Sequence, residues 1–222
     1  MGGLPILAHQ AFRSWILGSC LRELDLFYGL FLDRIWYAIE VAEKHGTKVR
    51  SDYVFDTKFS RNPNVAAKQK SVSRKLKMDD YFEQLNSLSL ARNALGHNAG
   101  FVRSPYDCNN ENRNALEIKW LAFDMLAGRN GEEIVVESMP FDPNLLPGEG
   151  ETEISIRFTA RILQVLAGSR IELTHAQLAE LCHFYKVVCD KTINGLLAFF
   201  EAKGVGVSQQ ALVPTDLIGT AE

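Results

Sequence analysis

The chain has 222 residues, of which 46% are hydrophobic and 23% are charged, so it can bury one good core and is not expected to be disordered. Its formal net charge of −3 gives no overall attraction for nucleic acid. The four cysteines lack CxxC spacing, which argues against a disulfide framework and against a zinc site. They are Cys20, Cys108, Cys182 and Cys189.

The first predicted element is a long helix from Phe12 to Lys44, and a break near Gly18 stays open. Its apolar residues recur at steps of three and four, which places them on one face. They are Leu24, Phe27, Tyr28, Phe31, Ile35, Ile39 and Ala42. Charged residues interrupt the stretch too often for a membrane span, and no secretory signal precedes it. We therefore expect a cytoplasmic protein without membrane contact.

The segment after His45 and Gly46, which predict the end of this helix, has no clear period up to residue 77. It predicts a loop or irregular connection with room for one short helix. From residue 44 to 77 there are ten basic residues against two acidic ones. Such a run can contact nucleic-acid phosphates or can be a solvated lysine-rich loop, and both interpretations stay open. The candidate RNA contacts are Lys68, Lys70, Arg74, Lys75 and Lys77.

A second helix is predicted to begin near Met78, where Asp79 and Asp80 suit the positive end of the helix dipole. It continues into the segment Arg92-Asn93-Ala94-Leu95-Gly96-His97.

After Gly100 the pattern changes to that of β-strands. Residues 115–125 and 132–137 flank a turn signal at 128–131, which predicts a hairpin. Three prolines make 139–150 a surface connection. The alternation around Ile156 predicts a third strand, which either continues to Val165 or becomes helical after Thr159.

Thr174 and Gln177 form a predicted capping box at the start of a last long helix, which Gly204 and Gly206 end. The fold class is therefore mainly α with a small antiparallel β insert. We expect one domain over 1–204, with the insert at about 115–165, and a tail over 205–222.

The segment Arg92–His97 resembles the R-polar-x3-H motif of the HEPN family, with Asn93 as the polar residue. The resemblance covers the predicted helices at 8–45, 78–98 and 174–203 and leaves the β region as an insert. It implies a HEPN-like helical bundle, usually a homodimer, and in many members a metal-independent ribonuclease of toxin or antiviral-defence type. An antitoxin or regulatory protein is then a further possible partner. Some members have a tyrosine, modified by a partner enzyme, where this chain has Ala99.

The residue types in this motif suit RNA cleavage without a metal or cofactor. Cleavage needs a base for the 2′-hydroxyl, an acid for the leaving 5′-oxygen, and positive charge at the phosphate. His97 can serve either proton role near neutral pH, and Arg92 presents a fixed fork of donors. Asn93 is expected to orient the imidazole, and Asn98 is a candidate RNA contact. Because one protomer has one such histidine, the mechanism requires two copies of His97 at one phosphate.

Two functions from different classes remain in view. The first is a metal-independent endoribonuclease with a composite site in a homodimer. The alternative is a non-catalytic HEPN RNA-binding or protein-interaction module, in which Arg92 and His97 only contact phosphate or cap the helix. The chain has no GxSxG, Walker A or GxGxxG segment, so other hydrolase and nucleotide-binding classes are not indicated.

Overall fold

The computed structural model describes residues 3–44, 57–136, 142–146 and 150–206. In these ranges the protein is mainly helical with one three-stranded antiparallel sheet, as the sequence predicts. The helices are α1 (Gly3–Glu43), α2 (Thr57–Arg61), α3 (Val65–Leu76), α4 (Phe82–His97) and α5 (His175–Ala202); the strands are β1 (Ala115–Arg129), β2 (Glu132–Val135) and β3 (Glu153–Leu166). A 3₁₀ turn occupies Pro143–Leu145. None of the described helices is long and apolar enough to cross a membrane.

Helix α1 is continuous over 41 residues, so the break near Gly18 does not occur. Gly18 instead marks the closest approach of α1 to α4. A Cβ atom at this position would lie 3.1 Å from the Cβ atom of Leu95 and 3.2 Å from the backbone nitrogen of Gly96. Only glycine therefore fits without moving the end of α4 that carries the motif. The predicted helix end at His45 and Gly46 lies outside the described residues.

Gly18→Val is expected to lower the free energy of unfolding by about 1–3 kcal/mol, because the added side chain forces α1 and α4 apart. Urea denaturation followed by circular dichroism measures the change. Gly29→Ala, also in α1, is the matched control, since its Cβ would make ordinary contact 3.5 Å from Cγ2 of Val65. That control is expected to gain up to about 1 kcal/mol from helix propensity. Equal losses in both variants would contradict the close crossing at Gly18.

The segment over 46–77, predicted as a loop or irregular connection with room for one short helix, is more helical than that, since it contains both α2 and the 12-residue α3. Asn64 caps it, since its side chain accepts a hydrogen bond from the Ala67 backbone nitrogen at 2.9 Å. Its buried face includes Gln69 and Ser73, joined by a hydrogen bond of 2.9 Å, and Tyr28 donates to Gln69. Because these buried residues are polar, they interrupt the apolar period, and the sequence pattern therefore does not indicate a helix here. Residues 45–56 of this segment lie outside the described residues.

The sheet has the strand order β2-β1-β3, and β1 pairs with β3 from Ala115↔Leu166 to Gly128↔Glu153. The predicted hairpin is confirmed between β1 and β2, where Asn130 and Gly131 have positive φ. The third strand continues to Leu166 and does not become helical. Part of the predicted connection over 139–150 lies outside the described residues.

Helix α5 begins with the predicted capping box of Thr174 and Gln177. The sheet and the helices share one hydrophobic core, to which β1 contributes Leu116, Ile118 and Trp120.

Helix α4 contacts both α1 and β1. Strand β1 is fixed to α4 by Ser87, whose hydroxyl accepts a hydrogen bond from the Lys119 backbone nitrogen at 2.9 Å. This packing determines the position of α4 and of the motif at its C-terminal end.

Candidate active site

The motif occupies the last two turns of α4. Arg92 is half-buried, whereas His97, the last residue of the helix, is exposed. The chain turns back directly after the motif, because Ala99 and Gly100 both have positive φ and the Gly100 nitrogen donates to the Ala94 oxygen at 3.0 Å. Since α4 is continuous through Gly96, Arg92 and His97 are about 140° apart around its axis.

The guanidinium of Arg92 is held by two side chains of the same protomer. Its Nη1 atom lies 2.7 Å from Oδ2 of Asp25 on α1. Its Nε and Nη2 atoms donate to Oδ1 of Asn93 at 3.2 and 3.0 Å. All three nitrogens therefore have an acceptor, and the guanidinium has a fixed orientation at the surface of the helix pair.

Asp25 is a site residue that the motif did not indicate. Its carboxylate is buried and also accepts hydrogen bonds from Tyr185 on α5 at 2.6 Å and from Ser89 on α4 at 3.2 Å. Burial raises the pKa of Asp25, while Tyr185, Arg92 and Ser89 act in the opposite direction. Burial also raises the pKa of Tyr185. One signal was present in the sequence: Asp25 lies three residues before Tyr28, one of the residues on the predicted apolar face of α1.

The predicted hydrogen bond between Asn93 and His97 is not formed: the Asn93 oxygen accepts from Arg92, and its amide nitrogen makes no hydrogen bond to the imidazole. Among the described residues, no side chain orients the imidazole of His97. Asn98, expected to contact RNA, donates to Oδ2 of Asp107 at 3.1 Å. The buried Asp107 also accepts from the Arg103 backbone nitrogen at 2.9 Å, so Asn98 anchors the loop that follows α4.

The site therefore combines a permanent positive charge, an exposed imidazole and a buried carboxylate at one pair of helices. Comparisons with protein-family models, curated proteins and solved structures found no match. Any functional conclusion depends on the chemistry of these residues and on the motif they form.

A cleft of about 450 Å³ opens beside Arg92, between α1 and the segment that joins α2 to α3. Its charged lining residues are Arg22, Asp25, Asp33, Arg61, Lys68 and Arg92. Asp33 and Asp25 are neutralised by Lys68 and Arg92 respectively. Arg61 is exposed and makes no ion pair with any described residue, so it adds positive charge to the mouth of the cleft.

Two of the five basic residues predicted to contact RNA are held in ion pairs within the chain. Lys68 is 5% exposed, and its Nζ atom lies 2.8 Å from Oδ1 of Asp33. This ion pair stabilises the fold, and the lysine is not available to a phosphate. Lys75 is paired with Glu43 at 2.6 Å. Lys75 is nevertheless exposed, as are Lys70, Arg74 and Lys77, and these last three make no ion pair with any described residue. Lys70 lies over the ring of Phe82, and the length of α4 separates that residue from His97 by about 22 Å.

Helix α1 carries an apolar stripe that faces solvent along most of its length. The stripe comprises Phe12, Trp15, Ile16, Leu26, Phe27, Leu30, Tyr37 and Val41, each between 40% and 66% exposed. Single exposed apolar residues are common in soluble proteins, whereas eight on one face of a helix make an unusually large apolar surface, although Glu23, Asp33 and Arg34 interrupt it. Leu26 and Leu30 also line the cleft beside Arg92, so the stripe borders the site.

Proposed function

We propose that the protein is a metal-independent endoribonuclease with a HEPN-like fold, of the toxin or antiviral-defence kind. The observation that carries the proposal is the fixed Arg92 guanidinium on the same helix that ends with the exposed His97. A fixed guanidinium suits a phosphate, and a solvent-accessible imidazole suits proton transfer near neutral pH.

In the proposed reaction the RNA 2′-oxygen attacks the adjacent phosphorus and the bond to the 5′-oxygen breaks. The imidazole of one His97 accepts the 2′-hydroxyl proton, and that of the second copy protonates the leaving oxygen. Arg92 stabilises the negative charge that develops on the phosphorane, with the phosphate replacing the Asn93 oxygen as acceptor. The products carry a 2′,3′-cyclic phosphate and a 5′-hydroxyl, and no metal is consumed or required.

Two features support a homodimer as the active form. Arg92 and His97 of one protomer lie on different sides of α4, so a second copy is the simplest source of the missing group. The apolar stripe of α1 borders the Arg92 cleft, and two stripes packed across a two-fold axis would bring the two clefts together.

Phe27→Asp is expected to convert the dimer into monomers, because it puts a charge at the most exposed apolar side chain of the stripe, which is 66% exposed. Size-exclusion chromatography with light scattering measures the mass. Ile162→Asp is the matched control, since Ile162 is a 61% exposed apolar residue on β3, and it should leave the mass unchanged. A dimer that survives Phe27→Asp, or a wild-type protein that is monomeric at micromolar concentration, would contradict the α1 interface.

The alternative function is a non-catalytic HEPN module that binds RNA or a protein. One observation favours it: the donors of Arg92 are already used inside the protomer, and none of the described side chains positions His97. In that case the exposed basic residues of α3 would supply phosphate contacts, and salt would weaken RNA binding without any cleavage.

Incubation of purified protein with total RNA in EDTA tests the proposal against this alternative. Cleavage with 2′,3′-cyclic phosphate ends supports the nuclease. Intact RNA supports the binding module, and ends bearing a 5′-phosphate would indicate attack by water with the help of a metal ion.

A further inference from the structure

The loop that follows His97 carries an exposed aromatic side chain beside an arginine. Phe101 is 44% exposed, and the guanidinium of Arg170 lies 4.7 Å from the centre of its ring. The position of the ring is fixed by backbone pairing, since Phe101 and Arg170 form an antiparallel bridge and Ile171 donates to the Gly100 oxygen at 2.8 Å. Tyr106, in the same loop, is 77% exposed. A rigid, exposed ring is a surface on which a planar group can stack.

A cleft of about 400 Å³ lies between the first part of α1 and residues 170–172. Arg170 lines this cleft and also contacts the Phe101 ring, so the ring stands at the edge of the cleft. Its polar lining residues are His9, Gln10, Arg13, Ser14, Arg170 and Glu172. The cleft begins at the turn that follows the motif, because a Cβ atom on Gly100 would lie 2.9 Å from Oγ of Ser14 and 3.2 Å from Cγ of Arg170. The pocket and the candidate active site are therefore neighbours along the chain.

Arg170 has hydrogen-bonding capacity that the described part of the chain does not use. Its Nη1 atom donates to Gln10 at 3.0 Å, and its Nη2 atom makes no hydrogen bond to a described residue, so Nη2 is the donor that a phosphate would use. Arg13 donates from Nη2 to the Leu173 oxygen at 2.7 Å and keeps its remaining donors. Two arginines at one cleft suit a phosphate, and Glu172 can accept from a base amino group or a ribose hydroxyl.

We propose that this cleft binds one nucleotide of an unpaired RNA strand, with the base stacked on Phe101 and its phosphate at Arg13 and Arg170. The inference rests on the proposed function, because it places this nucleotide next to the phosphate that Arg92 and His97 would hold. Bases in a duplex are already stacked and paired, so an aromatic platform selects single strands. The substrate of the enzyme is accordingly single-stranded RNA.

The test measures binding without cleavage. The probe is a fluorescein-labelled oligodeoxyadenylate of 12 nucleotides, which keeps a base amino group for Glu172, lacks the 2′-hydroxyl and cannot be cut; fluorescence anisotropy gives its Kd. Phe101→Ala is expected to raise Kd by about 5- to 150-fold, the range expected for loss of one base–aromatic stack. Phe101→Trp, which keeps an aromatic face, is expected to stay within about threefold of wild type. Ile162→Ala, which removes an exposed apolar side chain on β3, should not change Kd.

Arg170→Met keeps an aliphatic side chain of similar length and removes the charge. It is expected to reduce the slope of log Kd against log salt by about 0.7, the effect of one lost phosphate contact on a single strand. The duplex of the same probe with oligothymidylate should bind more weakly than the single strand. Equal binding of duplex and single strand, no binding by the wild type, or a Phe101→Ala variant that binds as well as the wild type would each overturn the proposal.

The failure of this subsite and the failure of the nuclease are distinguishable. If the wild type cleaves RNA and Phe101→Ala cleaves single strands with the same kcat/KM, the nuclease stands and the subsite is wrong. If the wild type binds the probe through Phe101 but leaves RNA intact in EDTA, the subsite stands and the nuclease is wrong.

Discussion

His97→Ala is expected to lower the rate of RNA cleavage by about 10²- to 10⁴-fold, the usual contribution of a positioned acid or base. The fold should not change, because His97 is exposed and the described residues make no hydrogen bond to its imidazole. Cleavage of a defined RNA in EDTA, with circular dichroism of the same samples, measures both effects. His183→Ala is the matched control: His183 is an exposed histidine of α5 whose ring contacts Phe123, and it should keep full activity.

The same variant tests the composite site. If the acid and the base are the two copies of His97, heterodimers of wild-type and His97→Ala chains hold one imidazole and lose one proton transfer. After full subunit exchange with excess variant, activity should fall well below the wild-type fraction of chains. Activity proportional to that fraction would mean that each protomer carries a complete site. Full activity of the homodimeric variant would exclude His97 from the chemistry altogether.

Arg92→Met is expected to lower the free energy of unfolding at neutral pH by about 3 kcal/mol. A position near a helix end suggests that Arg92 could be removed at little cost in stability. The structure changes that expectation, because the side chain of its partner Asp25 is only 4% exposed and would be left as an uncompensated buried charge. The loss is expected at the lower end of the range for broken buried pairs, because solvent reaches the Arg92 side chain, which is 29% exposed.

The loss should depend on pH in a defined direction. The guanidinium lowers the pKa of Asp25 against the larger effect of burial, so Arg92→Met raises that pKa further. A carboxylate with a raised pKa in the folded state stabilises the fold when protonated, and this contribution is lost as pH rises through the folded pKa. The difference in unfolding free energy between wild type and variant should therefore be largest at neutral pH and narrow as the pH falls toward the ordinary pKa of 3.8.

Two further variants make the stability result decisive. Adding Asp25→Asn to Arg92→Met removes the buried charge, keeps an acceptor for Tyr185, and should recover more than half of the loss. Lys186→Met is the matched surface control, because it breaks the exposed ion pair with Asp190 and should change stability by less than about 1 kcal/mol. A loss that is equal at all pH values, or that the second substitution does not reduce, would contradict the role assigned to Asp25.

The sequence by itself determined most of the regular elements. The apolar steps of three and four in α1 and α4, the capping box at Thr174, the turn at Asn130 and Gly131, and the alternation in β3 are all local patterns. Local patterns are visible in a single sequence because they depend on helix and strand geometry and on the conformations that caps and turns require. The motif from Arg92 to His97 was visible for the same reason.

Only the tertiary structure decided what the polar side chains do. Gln69 and Lys68 look like surface residues in the sequence, but both are buried in the fold. Gln69 is paired there with Tyr28 and Lys68 with Asp33, so polar partners on α1 allow this face of α3 to enter the core. Arg92 is joined to Asp25, 67 positions earlier, and Asn93 turns to Arg92 and away from His97. Such pairings depend on which helices pack together, and a period along one helix carries no information about the partner that lies across the core.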